Sequence, residues 1–112
     1  MDLSAETSGD ISIVNMPGEY LDASTVKEFK ADIAAFIEGD AKKIVFDMSS
    51  LQFIDSSGLG AILSCLRKLN GSGGELKLCG MSKPVRALFE LVRMHRIMDI
   101  YDTRDDAISA YK

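Results

Sequence analysis

The sequence has few of the features that mark membrane, nucleic-acid-binding or secreted proteins. No apolar run approaches the roughly 20 residues that a membrane-spanning helix needs. The 13 basic residues do not cluster and are outnumbered by 17 acidic ones, so the formal net charge is −4. Nucleic acids and anionic membranes are bound by clustered lysine and arginine, and we expect neither as a direct partner. The first six residues lack the basic and apolar regions of a signal peptide, which predicts a cytoplasmic protein.

Residues that bind metals are also scarce. The chain has two cysteines, Cys65 and Cys79, and a single histidine, His95. They are far apart in the sequence, whereas a metal site needs a cluster of such ligands. Both cysteines lie in segments predicted to be buried, and in a cytoplasmic protein they are expected to be free core thiols. We therefore expect no metal, no disulfide and no cofactor.

The composition is otherwise that of an ordinary globular protein. The chain has 112 residues, of which 46% are hydrophobic and 27% charged, and these values exclude bulk disorder. A chain of this length buries roughly two-thirds of its unfolded surface, so it can form a core without cross-links. We assign residues 1–112 to a single domain.

Hydrophobic periodicity predicts alternating strands and helices. Residues 3–7 and 11–16 indicate a hairpin around residues 8–10, with Pro17-Gly18 ending its second strand. Thr25 and Glu28 have the spacing of a capping box, in which each side chain pairs with a free backbone N–H of the first helical turn. The further predicted elements are a helix up to Gly39, a strand at 43–47, a helix at 57–70, a strand at 75–79, a helix opening at 82–84, a strand at 97–101 and a helix after Thr103.

These elements define a fold class. Residues 43–47 form a short continuous apolar run, which is typical of a strand buried on both faces. A strand, a helix and a second strand within roughly 35 residues form a βαβ unit, which implies parallel pairing. The order ββαβαβαβα therefore predicts an α/β fold: a mixed sheet of about five strands with about four helices packed against it.

One segment, Phe-Ile-Asp-Ser-Ser-Gly-Leu-Gly at residues 53–60, stands out chemically. It places Ser56 and Ser57 at the start of a helix, where backbone N–H groups have no helical partner. Gly58 and Gly60 would let another group approach the backbone closely. A phosphate on a serine here would meet the positive end of the helix dipole and add about −1.5 to −2 charges beside Asp55. The spacing alone favours a simpler interpretation, in which a serine caps the helix and the glycines permit tight packing.

Other functional motifs fit poorly. A dinucleotide fingerprint would need glycine at Leu63, and the glycine-rich turn at 71–74 lacks the lysine of a phosphate-binding loop. A serine hydrolase elbow would need glycine at Ile54, two residues before Ser56. A small hydrolase that uses Ser56 and His95 remains an alternative that an ester-substrate screen tests. His95 lies between arginines and is expected to be a solvated or packing residue.

The sequence resembles the sulphate transporter and anti-sigma factor antagonist (STAS) domain, specifically the stand-alone bacterial anti-sigma factor antagonists. The Asp-Ser-Ser-Gly-Leu-Gly stretch is quite specific to that branch. The resemblance covers nearly the whole chain and is carried by residues 44–47, 51–63 and 73–76, Cys79, Pro84-Val85 and Leu88-Phe89.

The resemblance implies a regulatory cycle. In such proteins the serine after the motif aspartate, here Ser56, is phosphorylated by a partner that is both a serine kinase and an anti-sigma factor. The unphosphorylated form binds that partner and frees its sigma factor, and a metal-dependent phosphatase of the PP2C type restores this form. The protein is then no enzyme and is expected to be a monomer when free. A structural STAS subunit of a lipid-transport or stress-sensing complex, without such a cycle, is the alternative.

The resemblance also implies a partner-binding surface. Asp55 would support recognition of Ser56, and Ser57 would be its neighbour. Asp22 matches the partner-contacting aspartate of the family, although the segment from Gly18 to Asp22 is one residue longer than usual. The implied partner-binding residues are Asp22, Asp55, Ser56, Ser57, Gly58 and Leu59.

Overall fold

The computed structural model describes residues 3–16, 18–39 and 42–111, except for the side chain of Glu38. It confirms the predicted mixed α/β architecture with four helices. The predicted roles of Pro17 and of the first two residues lie outside the described residues. The elements are β1 (Ser4–Ser8), β2 (Ile11–Asn15), β3 (Tyr20–Leu21), α1 (Val26–Glu38), β4 (Lys43–Asp47), β5 (Phe53–Ile54), α2 (Ser56–Gly71), β6 (Glu75–Cys79), α3 (Lys83–Leu91), a 3₁₀ turn (Met94–Arg96), β7 (Asp99–Tyr101) and α4 (Arg104–Ser109).

Five strands form the main sheet in the order β1-β2-β4-β6-β7. The hairpin strands β1 and β2 are antiparallel, and every other neighbouring pair is parallel. Helices α1, α2 and α3 connect the parallel strands, since parallel neighbours need a crossover connection. The predicted βαβ unit is thus formed by β4, α2 and β6.

Apolar side chains cover both faces of the central strand β4. Ile44 and Phe46 are fully buried on one face within the main core, where Phe46 contacts Phe29 of α1 edge to face at 6.2 Å between ring centroids. Val45 is fully buried on the other face beneath Ala107 of α4. This two-sided burial is the reason for the continuous apolar run in the sequence.

A buried lysine helps to hold the C-terminal segment against the second face. Lys77 on β6 is only 5% exposed, and its ammonium nitrogen lies 3.0 Å from Asp99 Oδ2 and 4.6 Å from the ring centroid of Tyr111. Burial opposes its charge, but the interactions with Asp99 outweigh that effect and raise the pKa of Lys77 above its ordinary value. The Tyr111 hydroxyl lies 2.8 Å from the carbonyl oxygen of Ile44.

Arg104 anchors the start of α4 to the end of the sheet. Its Nε and Nη2 donate to Asp47 Oδ2 at 3.0 and 2.8 Å, and Nη1 pairs with Glu6. Burial disfavours the ionised form of Asp47, but hydrogen bonds from Ser49 and Arg104 outweigh burial and lower the pKa of this carboxyl. The link joins the first strand, the central strand and the last helix.

Removing this link should destabilise the fold in a pH-dependent way. Arg104→Gln should lower the free energy of unfolding by about 1–2 kcal/mol at neutral pH, because hydrogen bonds to a largely buried carboxylate are lost. The ionised Asp47 stabilises the fold above its unfolded pKa of about 3.9, and this contribution disappears as the pH falls through the lower pKa of the folded state. Urea titrations at pH 7, 5, 4 and 3 should therefore show the difference shrinking in acid. A difference that stayed constant down to pH 3 would contradict this assignment.

The structure corrects the predicted capping box of α1. Thr25 makes no side-chain cap, and its hydroxyl instead donates to the carbonyl of Tyr20 and accepts from the backbone N–H of Asp22, both at 3.1 Å. The reason is that Asp22 precedes the helix in a tight turn, and its carbonyl accepts from the N–H groups of Thr25 and Val26. The backbone of Thr25 is also near-helical, whereas a capping residue usually has extended φ and ψ.

Two further differences concern short elements. The strand predicted at 97–101 begins only at Asp99, because the preceding residues form the 3₁₀ turn, in which the Ile97 N–H donates to the Met94 carbonyl at 3.1 Å. The strands β3 and β5 were not predicted, and they form a separate parallel pair in which Tyr20 lies beside Phe53 and Leu21 beside Ile54. Two-residue strands are too short to show a periodic pattern.

Candidate functional site

The β3–β5 pair brings two chain connections together at the carboxyl edge of the sheet. One connection follows β2 and leads to α1, and the other follows β4 and leads to α2. Asp22 directly follows β3 and Asp55 directly follows β5, so the pairing places both aspartates beside the first turn of α2. We call the group formed by Asp22, Asp55, Ser56 and Ser57 the Ser56 surface. Ligands and partners commonly meet α/β folds at this edge.

Asp55 is the residue that caps α2. Its Oδ1 accepts from the backbone N–H of Gly58 at 3.0 Å, and its Oδ2 accepts from the N–H of Ala23 at 3.1 Å. One carboxylate therefore holds the helix start and the loop before α1 in a fixed relation. The interpretation in which Ser56 or Ser57 caps the helix is wrong, since Asp55 occupies the cap position.

Ser56 is consequently the first helical residue and is exposed, whereas Ser57 is half-buried. Within the part of the chain that the structure describes, neither serine hydroxyl takes part in a hydrogen bond, and neither backbone N–H has an acceptor. These N–H groups form the positive end of the α2 dipole. The position therefore suits a negatively charged group attached to the hydroxyl of Ser56.

Gly58 allows the two connections to pack closely. A Cβ atom here would lie 2.3 Å from the carbonyl oxygen of Leu21 and 2.7 Å from Cγ1 of Ile54. Gly60 has no such role, because a Cβ there would meet nothing within 4 Å. Gly58 and Leu59 are both buried, Leu59 with 5% exposure, so they support the Ser56 surface from beneath and are not part of its exposed face.

Asp22 is held in its ionised form by its own turn. Its Oδ1 accepts from the Ser24 hydroxyl at 2.6 Å and from the Ser24 N–H at 3.0 Å, and these hydrogen bonds lower the pKa of Asp22. The segment from Gly18 to Asp22, which is one residue longer than usual, is hydrogen-bonded to the β5 connection. The carbonyl of Glu19 accepts from the N–H groups of Gln52 and Phe53 at 2.8 and 3.2 Å. The extra residue therefore does not displace Asp22 from the neighbourhood of Asp55.

An apolar flank adjoins the Ser56 surface and was not predicted. Tyr20 and Phe53 are 53% and 48% exposed, and their ring centroids lie 6.5 Å apart. Phe53 also borders a groove of about 280 Å³ between β5 and α3. The groove is lined by Gln52, Phe53, Ile54, Pro84, Val85 and Leu88. Exposed aromatic side chains beside polar ones are typical of protein interfaces.

The structure does not support the other candidate sites. His95 lies in the 3₁₀ turn before β7, and no hydrogen bond links it to Ser56 in the described ranges. Cys65 and Cys79 are buried free thiols, as predicted, and burial raises the pKa of each to about 11. No three His, Cys, Asp or Glu residues among those described are grouped as metal ligands. No described helix is both long enough and apolar enough to cross a bilayer.

Removing the Asp55 carboxylate should show how much its two hydrogen bonds contribute to the free energy of unfolding. We expect Asp55→Ala to lower the free energy of unfolding by about 1–2 kcal/mol, because the N–H groups of Gly58 and Ala23 both lose their acceptor. Asp22→Asn keeps an oxygen acceptor for Ser24 and is the matched control, with a change of about 0.5 kcal/mol or less. Urea denaturation of both variants measures the difference. Equal stability of the two variants would contradict the bridging role of Asp55.

Comparison with known proteins identifies the class of domain. The family model of the STAS domain matches residues 2–107, and the chain belongs to the STAS domain family. It is 33% identical over 110 residues to the anti-sigma F factor antagonist of Paenibacillus polymyxa, covering 97% of this chain and 93% of that protein.

Solved structures of the Bacillus protein SpoIIAA share the fold. The unphosphorylated form of this anti-sigma factor antagonist superimposes with a TM-score of 0.79 at 26% identity, covering 98% of this chain and 96% of the other. The phosphorylated form superimposes with a TM-score of 0.72 at 25% identity, covering 99% and 100%. The predicted STAS fold is thereby confirmed.

Proposed function

We propose that this protein is an anti-sigma factor antagonist whose binding to a serine kinase/anti-sigma factor is switched off by phosphorylation of Ser56. The observation that carries the proposal is the exposed hydroxyl of Ser56 on the first turn of α2. This hydroxyl is not used to cap the helix, because Asp55 takes the cap position. Family relatives named anti-sigma factor antagonists, and the solved phosphorylated form of one of them, support it.

The unmodified Ser56 surface suits binding to a protein. Its carboxylates, those of Asp22 and Asp55, adjoin the apolar flank formed by the exposed rings of Tyr20 and Phe53. The carboxylates give a basic partner surface its orientation, and the rings supply apolar contact area. Binding to this face would engage the partner and release the sigma factor that it holds.

Phosphorylation would oppose that contact mainly through charge. A phosphoserine adds about −1.5 to −2 charges at neutral pH. The first-turn N–H groups and the helix dipole stabilise this charge in the free chain, so the fold accepts it. In the complex, the same dianion has to lose water next to Asp22 and Asp55, which costs several kcal/mol. The modification therefore weakens the complex and leaves the domain folded.

The rest of the cycle follows from this proposal. The chain itself acts by binding and catalyses no reaction, and it carries no cofactor. A metal-dependent phosphatase of the PP2C type would remove the phosphate and restore the binding form. We place this cycle in the cytoplasm, with residues 1–112 acting as one domain that is monomeric when free. Gly58 and Leu59 would shape the binding face without touching the partner.

Intact-mass analysis after incubation with the cognate kinase and ATP tests the acceptor. One phosphate should be added and fragmentation should locate it on Ser56. Ser57→Ala should still be modified, whereas Ser56→Ala should gain no mass. A phosphate located on Ser57 would overturn the assignment. If no phosphate were added while the kinase still bound the chain, a structural STAS subunit without a phosphorylation cycle would be the better account.

A further inference from the structure

The large hydrophobic side chains that are exposed in the described residues fall into two groups. One group is the Tyr20–Phe53 pair beside Ser56. The other consists of Leu91, Val92 and Ile97, which are 78%, 48% and 57% exposed. These three residues lie within seven positions at the end of α3 and around the 3₁₀ turn. We call them, with the two exposed arginines Arg93 and Arg96 between them, the 91–97 patch.

The 91–97 patch is exposed although its backbone is well anchored. Met94 and Met98 point into the core with 8% and 4% exposure. The N–H of Arg96 donates to the carbonyl of Arg93 at 3.2 Å, and the N–H of Ile97 donates to the carbonyl of Met94 at 3.1 Å. The apolar side chains are therefore presented by a hydrogen-bonded turn and not by a loose segment.

The guanidinium groups of Arg93 and Arg96 are unpaired among the described residues. Neither Arg93 nor Arg96 forms an ion pair with a carboxylate in residues 3–16, 18–39 and 42–111. By contrast, Arg86 and Arg104 both pair with acidic side chains. Arginine is enriched in protein interfaces, and a contiguous exposed apolar patch with a polar rim marks an interaction site. In a chain with a net charge of −4, this is a local basic and apolar surface.

The backbone of Arg93 points to a role other than stability. Arg93 has a φ of +62° and follows the last turn of α3, where glycine is the favoured residue. A residue with a Cβ is strained in this conformation. Glycine would relieve the strain, so folding alone does not account for an arginine here.

The 91–97 patch is separate from the Ser56 surface. Because β6 and β7 are parallel, α3 returns the chain towards the amino-terminal ends of the strands before β7 begins. Ser56 lies instead beyond the carboxyl end of β4. The two locations therefore lie at opposite ends of the parallel strands.

We propose that the 91–97 patch is a second docking surface, and that it binds an acidic protein segment whose apolar side chains are flanked by carboxylates. The unpaired arginines supply the charge complementarity, and Leu91, Val92 and Ile97 supply the apolar contact. A membrane fits less well, because two arginines are fewer than the basic clusters that bind anionic lipid. A symmetric contact with a second copy would place arginines against arginines.

Photo-crosslinking from the 91–97 patch tests the proposal in the cells that make this protein. Leu91→p-benzoylphenylalanine should form a covalent adduct with one protein, and mass spectrometry should locate the link in a segment with net negative charge. Charge reversal by Arg93→Glu and Arg96→Glu in the same chain should reduce the adduct about tenfold or more. The same crosslinker at Asn70, an exposed position on α2, is the matched control and should not capture that protein.

Each other outcome overturns the proposal. These outcomes are the absence of an adduct, an adduct between two copies of this chain, a link to a segment without net negative charge, and an adduct that survives the charge reversal. Binding of the purified chain to phosphatidylglycerol vesicles that depends on both arginines would indicate a membrane surface instead. The adduct should also form with Ser56→Ala, so a failure of the phosphorylation switch would leave this result unaffected.

Arg93→Gly separates binding from folding. The variant should be at least as resistant to urea as the parent chain, because glycine relieves the strained φ. Its affinity for the captured and purified protein should nevertheless fall about fivefold, since one ion pair is lost. An unchanged affinity would contradict the role of Arg93, and a loss of stability would contradict the strain argument.

Discussion

Ser56→Asp should weaken binding to the cognate serine kinase/anti-sigma factor by on the order of a hundredfold, whereas Ser56→Ala should bind as tightly as the unmodified chain. Aspartate puts a fixed negative charge at the exposed start of α2, beside Asp22 and Asp55. Alanine only removes a hydroxyl that makes no hydrogen bond within the described residues. Isothermal titration calorimetry with the purified kinase gives both dissociation constants.

The position of the added charge, and not the change in the net charge of the chain, should produce this effect. Ser109→Asp changes the net charge by the same amount at an exposed serine at the end of α4. Its affinity for the kinase should stay within about twofold of the parent value. If Ser56→Asp and Ser109→Asp weakened binding equally, or if both Ser56 variants bound like the parent chain, the switch at Ser56 would be wrong.

Gly58→Ala should be the most destabilising single-methyl change at the site. The new Cβ would lie 2.3 Å from the backbone oxygen of Leu21, and 2.7 Å from Cγ1 of Ile54, so β3 and α2 have to move apart. Overpacking of this kind costs about 1–3 kcal/mol or more, and here the clash with backbone favours the upper part of that range. The same movement separates Asp22 from Asp55 and should also reduce kinase binding.

Gly60→Ala is the matched control for this prediction. It adds the same methyl group two residues further along α2, where a Cβ meets nothing within 4 Å. Since alanine is a better helix former than glycine, it should raise the free energy of unfolding by about 0.5–1 kcal/mol. Urea denaturation should therefore move the two variants in opposite directions. Similar midpoints for both variants would contradict the close-packing role of Gly58.

The fold was predictable because its main elements carry long periodic patterns. The central strand at 43–47 was recognisable from its apolar residues on both faces. The helices expected to open at 82–84 and after Thr103 are present, and Ser82 and Thr103 cap them by accepting from the N–H groups of Val85 and Asp106. A predicted helix cap is absent where the capping side chain forms other hydrogen bonds in the folded chain. At α1 the expected cap at Thr25 is absent, because its hydroxyl donates to the carbonyl of Tyr20 and accepts from the N–H of Asp22.

The site was predictable only in part. The helix start and its serines follow from the sequence, but the spacing did not separate a capping serine from an exposed one. That distinction depends on Asp55 reaching both Gly58 and Ala23, the latter 32 positions away. The β3–β5 pair and the link between Arg104 and Asp47 likewise join residues with no sequence relation. Such contacts depend on tertiary packing, which local patterns do not encode.

The most direct test of the account is a titration of one preparation in three states. The kinase should bind the unmodified chain, bind it on the order of a hundredfold more weakly after Ser56 has been phosphorylated to completion, and regain the first affinity after phosphatase treatment. Circular dichroism should be unchanged throughout, because the phosphate adds charge without unfolding the domain. An affinity that is the same in all three states would contradict the central claim.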